Sequence, residues 1–325
     1  ANTCNSNGIE IAEGMCSLVE GVSGIASDDV IVGSTGVIGQ KLDLTPMREH
    51  IAELYDGLGD RSTAAAEAIM TTDTVKKEVA VQFVLDGKKC RLGGIAKGVG
   101  MVCPNMATNL IFLTSDVAIT PQMLQKALSV DVGSSFNMVS VDGDQSTNDT
   151  CCIMANGLAG NTEINSDNAS FKRFAKALNY CTVKLSKMLA KDGEGATKLI
   201  ECTVTGAKSL KAARTVCKSV IKSSLVKAAM FGADANWGRV LCAIGYSGAD
   251  VDVHKIDVTF ISRAGEVKVC EDGYGLDFSE ELAKKVLTED EVTVLIDLKS
   301  GNFKATAWGC DLTYDYVKIN GDYRT

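Results

Sequence analysis

A hydroxyl or thiol nucleophile needs a base, and this sequence has few bases near neutral pKa. Its only histidines are His50 and His254. His50 follows Arg48-Glu49 on a polar helical pattern, and His254 lies in the charged run Asp252-Val253-His254-Lys255. Neither adjoins a glycine-rich elbow, so Ser-His-Asp or Cys-His chemistry has little support. The twelve cysteines include no Cys-x-x-Cys pair, which disfavours a zinc site. Many lie in apolar runs such as Leu241-Cys242-Ala243-Ile244 and read as small buried hydrophobes of a reducing cytoplasm. One further route activates a weak hydroxyl: a threonine whose own α-amine is the base. That amine has a pKa near 8, so part of it is neutral at neutral pH. An internal threonine must first lose the peptide bond before it, at a tight turn that opens an apolar strand. The segment Lys97-Gly98-Val99-Gly100-Met101-Val102-Cys103-Pro104-Asn105-Met106-Ala107-Thr108 has this form, and Asn109-Leu110-Ile111-Phe112-Leu113 follows it. By composition alone such a segment is more often an ordinary glycine-rich connector than a cleavage site.

The surrounding pattern alternates helices and strands and predicts a layered α/β fold. Residues 8–22 read as a helix with Ile9, Met15, Leu18 and Val19 on one face. A short strand is expected at 29–33, running into the loop 34–39. Thr45-Pro46 and Thr120-Pro121 each open a helix, Thr120 as N-cap. Strands are expected at 79–85 and 90–95, turned at Asp86-Gly87, and again at 109–113. The longest helix runs from about 169 to 191, capped by Ser166 or Asp167. A strand at 199–205 leads into a helix to about 220. From 256 onward strands dominate, with one helix near 280–286.

The net charge of −8 and the lack of any basic block argue against a nucleic-acid partner. No apolar run approaches the roughly 18 residues that read as a membrane span, and no signal peptide is visible after Ala1.

Several segments together resemble the ornithine acetyltransferase family of arginine biosynthesis. Residues 97–108 are similar to its cleavage signature. Gly33-Ser34-Thr35-Gly36-Val37-Ile38-Gly39 is similar to its oxyanion loop, and Met70-Thr71-Thr72-Asp73-Thr74 to its substrate-contacting threonine motif. Further blocks are Ser140-Val141-Asp142-Gly143-Asp144, Ser146-Thr147-Asn148-Asp149-Thr150, Asp192-Gly193-Glu194-Gly195-Ala196-Thr197-Lys198 and Asn236-Trp237-Gly238-Arg239. The C-terminal Gly309-Cys310-Asp311-Leu312-Thr313 and residues 320–325 complete the match, in order along the whole chain. Gln145 and Ala235 stand where the family usually has Thr and Pro. The family also carries strands ahead of the position of Ala1, and their loss would leave an exposed sheet edge.

The resemblance implies a self-processing fold of the N-terminal-nucleophile-like type. Thr108 would attack the Ala107 carbonyl, giving an alpha chain (1–107) and a beta chain (108–325) that remain one interlocked fold. Thr108 would then take acetyl from N-acetylornithine and pass it to glutamate, a ping-pong scheme through an acyl-enzyme. Thr35 and Gly36 would form the oxyanion hole. Thr71, Lys97, Thr108, Glu194, Asn320 and Thr325 would bind substrate. No metal or cofactor is expected; acetyl-CoA is a possible alternative donor. Two alpha and two beta chains would form a cytoplasmic heterotetramer. Read without the resemblance, Lys97 is a solvated strand-end charge, Asp192–Gly195 a helix C-terminal turn, Asn320-Gly321 a turn and Thr325 a frayed end. The competing functions are a self-processing aminopeptidase or amidase, and an inactive shortened relative.

Overall fold

The computed structural model describes residues 5–103 and 109–322. In chain order the first part holds α1 (Gly8–Ser23), α2 (Thr45–Asp56), α3 (Ser62–Ala68), β1 (Lys77–Leu85), β2 (Lys88–Lys97), β3 (Leu110–Ser115), α4 (Pro121–Val132), β4 (Val139–Ser140), β5 (Thr150–Ala155) and α5 (Ala169–Lys191). The rest holds β6 (Leu199–Ala207), α6 (Leu210–Lys222), α7 (Ser224–Phe231), α8 (Trp237–Gly245), β7 (Asp257–Ser262), β8 (Gly265–Glu271), β9 (Tyr274–Gly275), α9 (Glu280–Thr288), β10 (Glu291–Asp297), β11 (Phe303–Cys310) and α10 (Tyr314–Asp322). One sheet has the order β1-β2-β3-β5, and a larger one the order β4-β11-β6-β10-β7-β8-β9. This is the layered α/β architecture that the alternation predicts.

Helix α5 joins the two sheets. Its apolar stripe Phe171, Phe174, Leu178, Cys181, Leu185 and Leu189 recurs every three or four residues and is buried. Burying each large side chain contributes about 1.5–3 kcal/mol. The stripe packs into one core with Leu85, Leu92, Ile111 and Leu113 of the smaller sheet. On the other side Lys187 pairs with Glu201 of β6 at 2.6 Å. The opposite face of β6, through Cys202 and Val204, joins a second core with Val216, Cys217 and Val220 of α6.

The predicted elements are largely present, with instructive shifts. Thr120 caps α4 as expected. The cap of α5 is Asn168, whose side chain accepts the Phe171 N–H at 2.9 Å, not Ser166 or Asp167. In α1 Met15, Leu18 and Val19 are half-buried as expected, but Ile11 is the buried residue and Ile9 is 77% exposed. The expected strand at 29–33 does not form. Ser27–Asp29 is a 3-10 turn, and the extended residues after it find no ladder partner among the described residues. Helices α3, α7 and α8 were not expected. Helix α10 replaces the predicted turn at Asn320-Gly321. Its start is fixed by Thr313, whose hydroxyl accepts the Tyr316 N–H at 3.3 Å and donates to the Gly195 carbonyl at 2.7 Å.

Candidate active site

The site lies where the ends of β2 and α5, the loop at 71–74 and the last turn of α10 meet. Thr35, Gly36, Thr71, Thr72, Lys97, Gly100, Glu194 and Asn320 line one cavity of about 120 Å³, together with Ser146, Thr147 and Asn148. Six of the site residues implied by the resemblance, Thr35, Gly36, Thr71, Lys97, Glu194 and Asn320, thus come together from segments far apart in sequence. Ala107, Thr108 and Thr325 lie outside the described residues.

Glu194 is the hub. Its backbone N–H donates to the Val99 carbonyl at 2.9 Å, which fixes the loop after α5 to the segment after β2. Its carboxylate accepts the Thr72 hydroxyl at Oε1 and the Asn320 amide at Oε2, both at 2.8 Å. Gly100 leaves it room: a Cβ there would stand 2.5 Å from Glu194 Oε1. Gly195, at φ +68°, serves the same corner, since a Cβ would meet the Tyr316 nitrogen at 2.6 Å and push α10 away. The negative charge faces a polar cavity and suits a cationic ligand.

Lys97 supplies the positive charge. Its ammonium donates to Thr71 Oγ1 at 3.1 Å. The residue is only 8% exposed, so it is no solvated strand-end lysine. Burial pushes its pKa down; the carboxylates of Asp73, Glu194 and Asp149 oppose that, and Lys77 adds to it. A buried cation beside two hydroxyl-bearing loops can hold a carboxylate.

A buried ion cluster holds the frame. Lys77 is fully buried and donates to Asp73 at 2.7 Å, Asp192 at 2.6 Å and the Val75 carbonyl at 3.0 Å. Asp73 also accepts the Gly98 N–H at 3.1 Å and the Thr71 N–H at 3.2 Å. Asp192 accepts the Thr74 N–H at 3.0 Å and the Thr74 hydroxyl. Burial alone would raise the pKa of Asp73, but the Lys77 bond and charge and the two backbone donors hold it below the ordinary value. One lysine therefore ties the threonine loop, the start of the glycine segment and the end of α5 together. On the far side Asp142 accepts the Met101 and Val102 N–H groups at 2.7 and 3.0 Å. Met101 has φ +52°, a left-handed conformation that costs a non-glycine residue on the order of 1 kcal/mol.

Sequence reasoning gave no individual role to Thr72, Asp73, Asp142 or Asp192, although each stands in a quoted motif. Lys77 left no signal, since a Lys-Lys pair before a strand reads as solvated. Both histidines are peripheral: His50 pairs with the exposed Glu53, and His254 stacks on the exposed Tyr274. No helix among the described residues is long and apolar enough to cross a membrane.

Comparisons with known proteins bear on the family of the chain. The arginine biosynthesis bifunctional protein ArgJ 1 of Clostridium acetobutylicum is 51% identical over 327 residues, covering 100% of this chain and 80% of that protein. The glutamate N-acetyltransferase of Methanocaldococcus jannaschii is 45% identical over 333 residues, covering 100% and 82%. The crystal structure of the arginine biosynthesis bifunctional protein ArgJ from Bacillus halodurans superposes with a TM-score of 0.62 at 46% identity, over 65% of this chain and 98% of that one. The sequence profile of the ArgJ family matches residues 1–325, and with these relatives it establishes that the chain belongs to the ArgJ family.

Proposed function

We propose that this chain is an N-acyltransferase of arginine biosynthesis that moves acetyl from N-acetylornithine to glutamate. The observation that carries the reading is the placement of Lys97 and Glu194 in the wall of one small cavity that Thr35, Gly36, Thr71 and Asn320 also line. N-acetylornithine carries an α-carboxylate and a side-chain amine, and glutamate is dicarboxylic. A buried cation and a buried carboxylate match such substrates, and the names of the relatives point the same way.

In this reading Thr108 is the nucleophile. The chain first cleaves between Ala107 and Thr108, and the freed α-amine then serves the hydroxyl as base. The two pieces stay together because the break falls between neighbouring strands. Strands β2 and β3 pair antiparallel from Leu92↔Ser115 to Lys97↔Leu110, so a ladder of hydrogen bonds joins the pieces. Thr35 and Gly36 stabilise the oxyanion of each tetrahedral intermediate. Acetyl travels on Thr108, so no cofactor is required, and acetyl-CoA is the alternative donor. Two alpha and two beta chains assemble as a cytoplasmic heterotetramer.

The test is an assay of purified protein with N-acetylornithine and glutamate, with intact mass measured under denaturing conditions. Ornithine and N-acetylglutamate should appear in equal amounts, and two masses should split at Ala107/Thr108. Acetate release that glutamate does not suppress would instead identify a hydrolase. A single unbroken mass with no turnover would identify an inactive relative. Acetyl-CoA in place of N-acetylornithine tests the second donor, and light scattering tests the assembly.

A further inference from the structure

Helix α6 carries Lys211, Arg214, Lys218 and Lys222 and no acidic residue. These four recur every three or four residues, so the helix gathers on one face cations that the sequence keeps apart. The apolar residues Val216, Cys217 and Val220 bury the other face in the second core. The chain as a whole has a net charge of −8, so the stripe runs against its average.

Two of the four cations line a cavity. Thr215, Lys218, Ser219 and Lys222 of α6 meet Tyr246 and Ser247, just past the end of α8, around a space of about 440 Å³. Small-molecule sites enclose roughly 300–1,000 Å³. The cavity shares no lining residue with the active site, and no carboxylate of the described residues lines it. Hydroxyls complete the wall. Ser219 donates to the Ala243 carbonyl at 2.6 Å and so ties α6 to α8. The Ser247 oxygen accepts the Ala249 N–H at 3.2 Å, which leaves its own proton to a ligand.

Lys218 is half-buried. Burial pushes its pKa down, Cys103 opposes the shift, and the charge of Lys222 adds to it. Two ammonium groups that repel each other at a half-buried wall are stabilised by an anion between them. A lysine in the last turn of a helix also complements the helix dipole, which accounts for Lys222 but not for Lys218 one turn earlier. Two cations with two free-to-turn hydroxyls suit a group of about two negative charges and three acceptor oxygens better than a single carboxylate.

We propose that this cavity binds a phosphate group, free or carried by a nucleoside. Lys218 and Lys222 neutralise it, and the Thr215 and Ser247 hydroxyls donate to its oxygens. Tyr246 is 60% exposed at the rim, and its ring offers a face on which a base can stack. The site lies behind the catalytic wall. A Cβ at Gly143 would stand 3.7 Å from Lys222 Cε, and the adjacent Asp142 holds the Met101 and Val102 N–H groups.

The experiment is isothermal titration calorimetry of the purified full chain with inorganic phosphate, ADP and acetate, at about 0.15 M KCl to screen unspecific attraction. Phosphate or ADP should bind saturably and acetate at least about tenfold more weakly. Lys222→Gln, a change at an exposed position, should weaken phosphate or ADP binding about tenfold or more, and Lys218→Gln likewise, whereas Lys222→Arg should largely keep it. ADP binding tighter than phosphate, with the difference lost in Tyr246→Ala, identifies the nucleoside-borne group. Equal binding of the two identifies phosphate alone. Absence of binding by both would overturn the proposal, and so would acetate binding as tightly as phosphate. Binding that survives unchanged in both Lys222→Gln and Lys218→Gln would place the ligand elsewhere and overturn it too. None of these results depends on cleavage or acetyl transfer, so the function proposed above stands or falls separately.

Discussion

Asn320, in the last turn of α10, donates to Oε2 of Glu194, which lies 126 residues earlier, at 2.8 Å. The bond makes the C-terminal helix part of the wall that faces the ligand. It leaves Oε1 to Thr72, so neither oxygen of the carboxylate is free to wander. A carboxylate held at both oxygens is already oriented for an incoming ammonium, and orientation fixed in advance is not charged to binding.

Replacing Asn320 by Ala should therefore weaken substrate binding more than turnover. A hydrogen bond to a charged group contributes about 1.5–3 kcal/mol, which corresponds to a KM for N-acetylornithine raised roughly tenfold to a hundredfold. Glu194→Gln should be more damaging, because it removes the charge itself, yet both variants should still be cleaved into two chains. Steady-state kinetics and intact mass check the pair. An unchanged KM in both would remove Glu194 from ligand recognition.

Gly100 tests the same carboxylate from behind. A Cβ at this position would overlap the Glu194 carboxyl, with all three of its terminal atoms within 2.6 Å. Glu194 would have to swing away from Thr72 and Asn320. Gly100→Ala should thus mimic Glu194→Gln, with a loss of transfer of about tenfold or more, and with a melting temperature reduced by only a few degrees. Full transfer activity would mean that the carboxylate position is not critical.

How much of this was legible beforehand depends on where each residue's meaning lies. Thr35, Thr71 and Glu194 stand in compact motifs, so the resemblance was enough to single them out, and the cavity brings them together. The apolar period was enough to find α5 and the Thr120 cap to find the start of α4, both local signals, although the cap of α5 is Asn168 and not Ser166 or Asp167. The strand expected at 29–33 failed because a strand exists only if a neighbour pairs with it, and no local pattern reports the neighbour. Asn320-Gly321 read as a turn because the residues are turn formers, but the helix is set by the Thr313 cap and by the seat that Gly195 leaves for Tyr316. Lys77 was invisible for the same reason. Lys77 is buried because two carboxylates wait for it, and one of these, Asp192, is 115 residues away.

Lys77→Met should be among the most destabilising single changes in the protein. It would leave Asp73 and Asp192 buried without their cation, and breaking a buried pair in this way costs about 3–5 kcal/mol. The pH dependence distinguishes this cause from lost packing. Asp73 ionises more readily in the folded chain than its ordinary value of 3.8. Its contribution is therefore complete above that value and is lost as pH falls through the lower folded one. Denaturant titrations should show Asp73→Asn less stable than wild type at neutral pH, with the gap narrowing below about pH 4. A gap independent of pH would assign the loss to packing alone.

Thr35 separates catalysis from folding most cleanly. It lines the cavity yet is exposed, so removing its hydroxyl leaves no hole in the core. In the proposed mechanism cleavage and acetyl transfer both pass through an oxyanion on a carbonyl attacked by the same hydroxyl, so a shared donor would serve both. Losing one donor of this kind typically costs about a hundredfold to a thousandfold in rate. Thr35→Ala should slow both reactions to a similar degree while the melting temperature stays at the wild-type value. Slowing of transfer alone would place Thr35 among the substrate contacts. Unchanged rates for both would leave the backbone N–H of Gly36, and not the threonine hydroxyl, as the donor that matters.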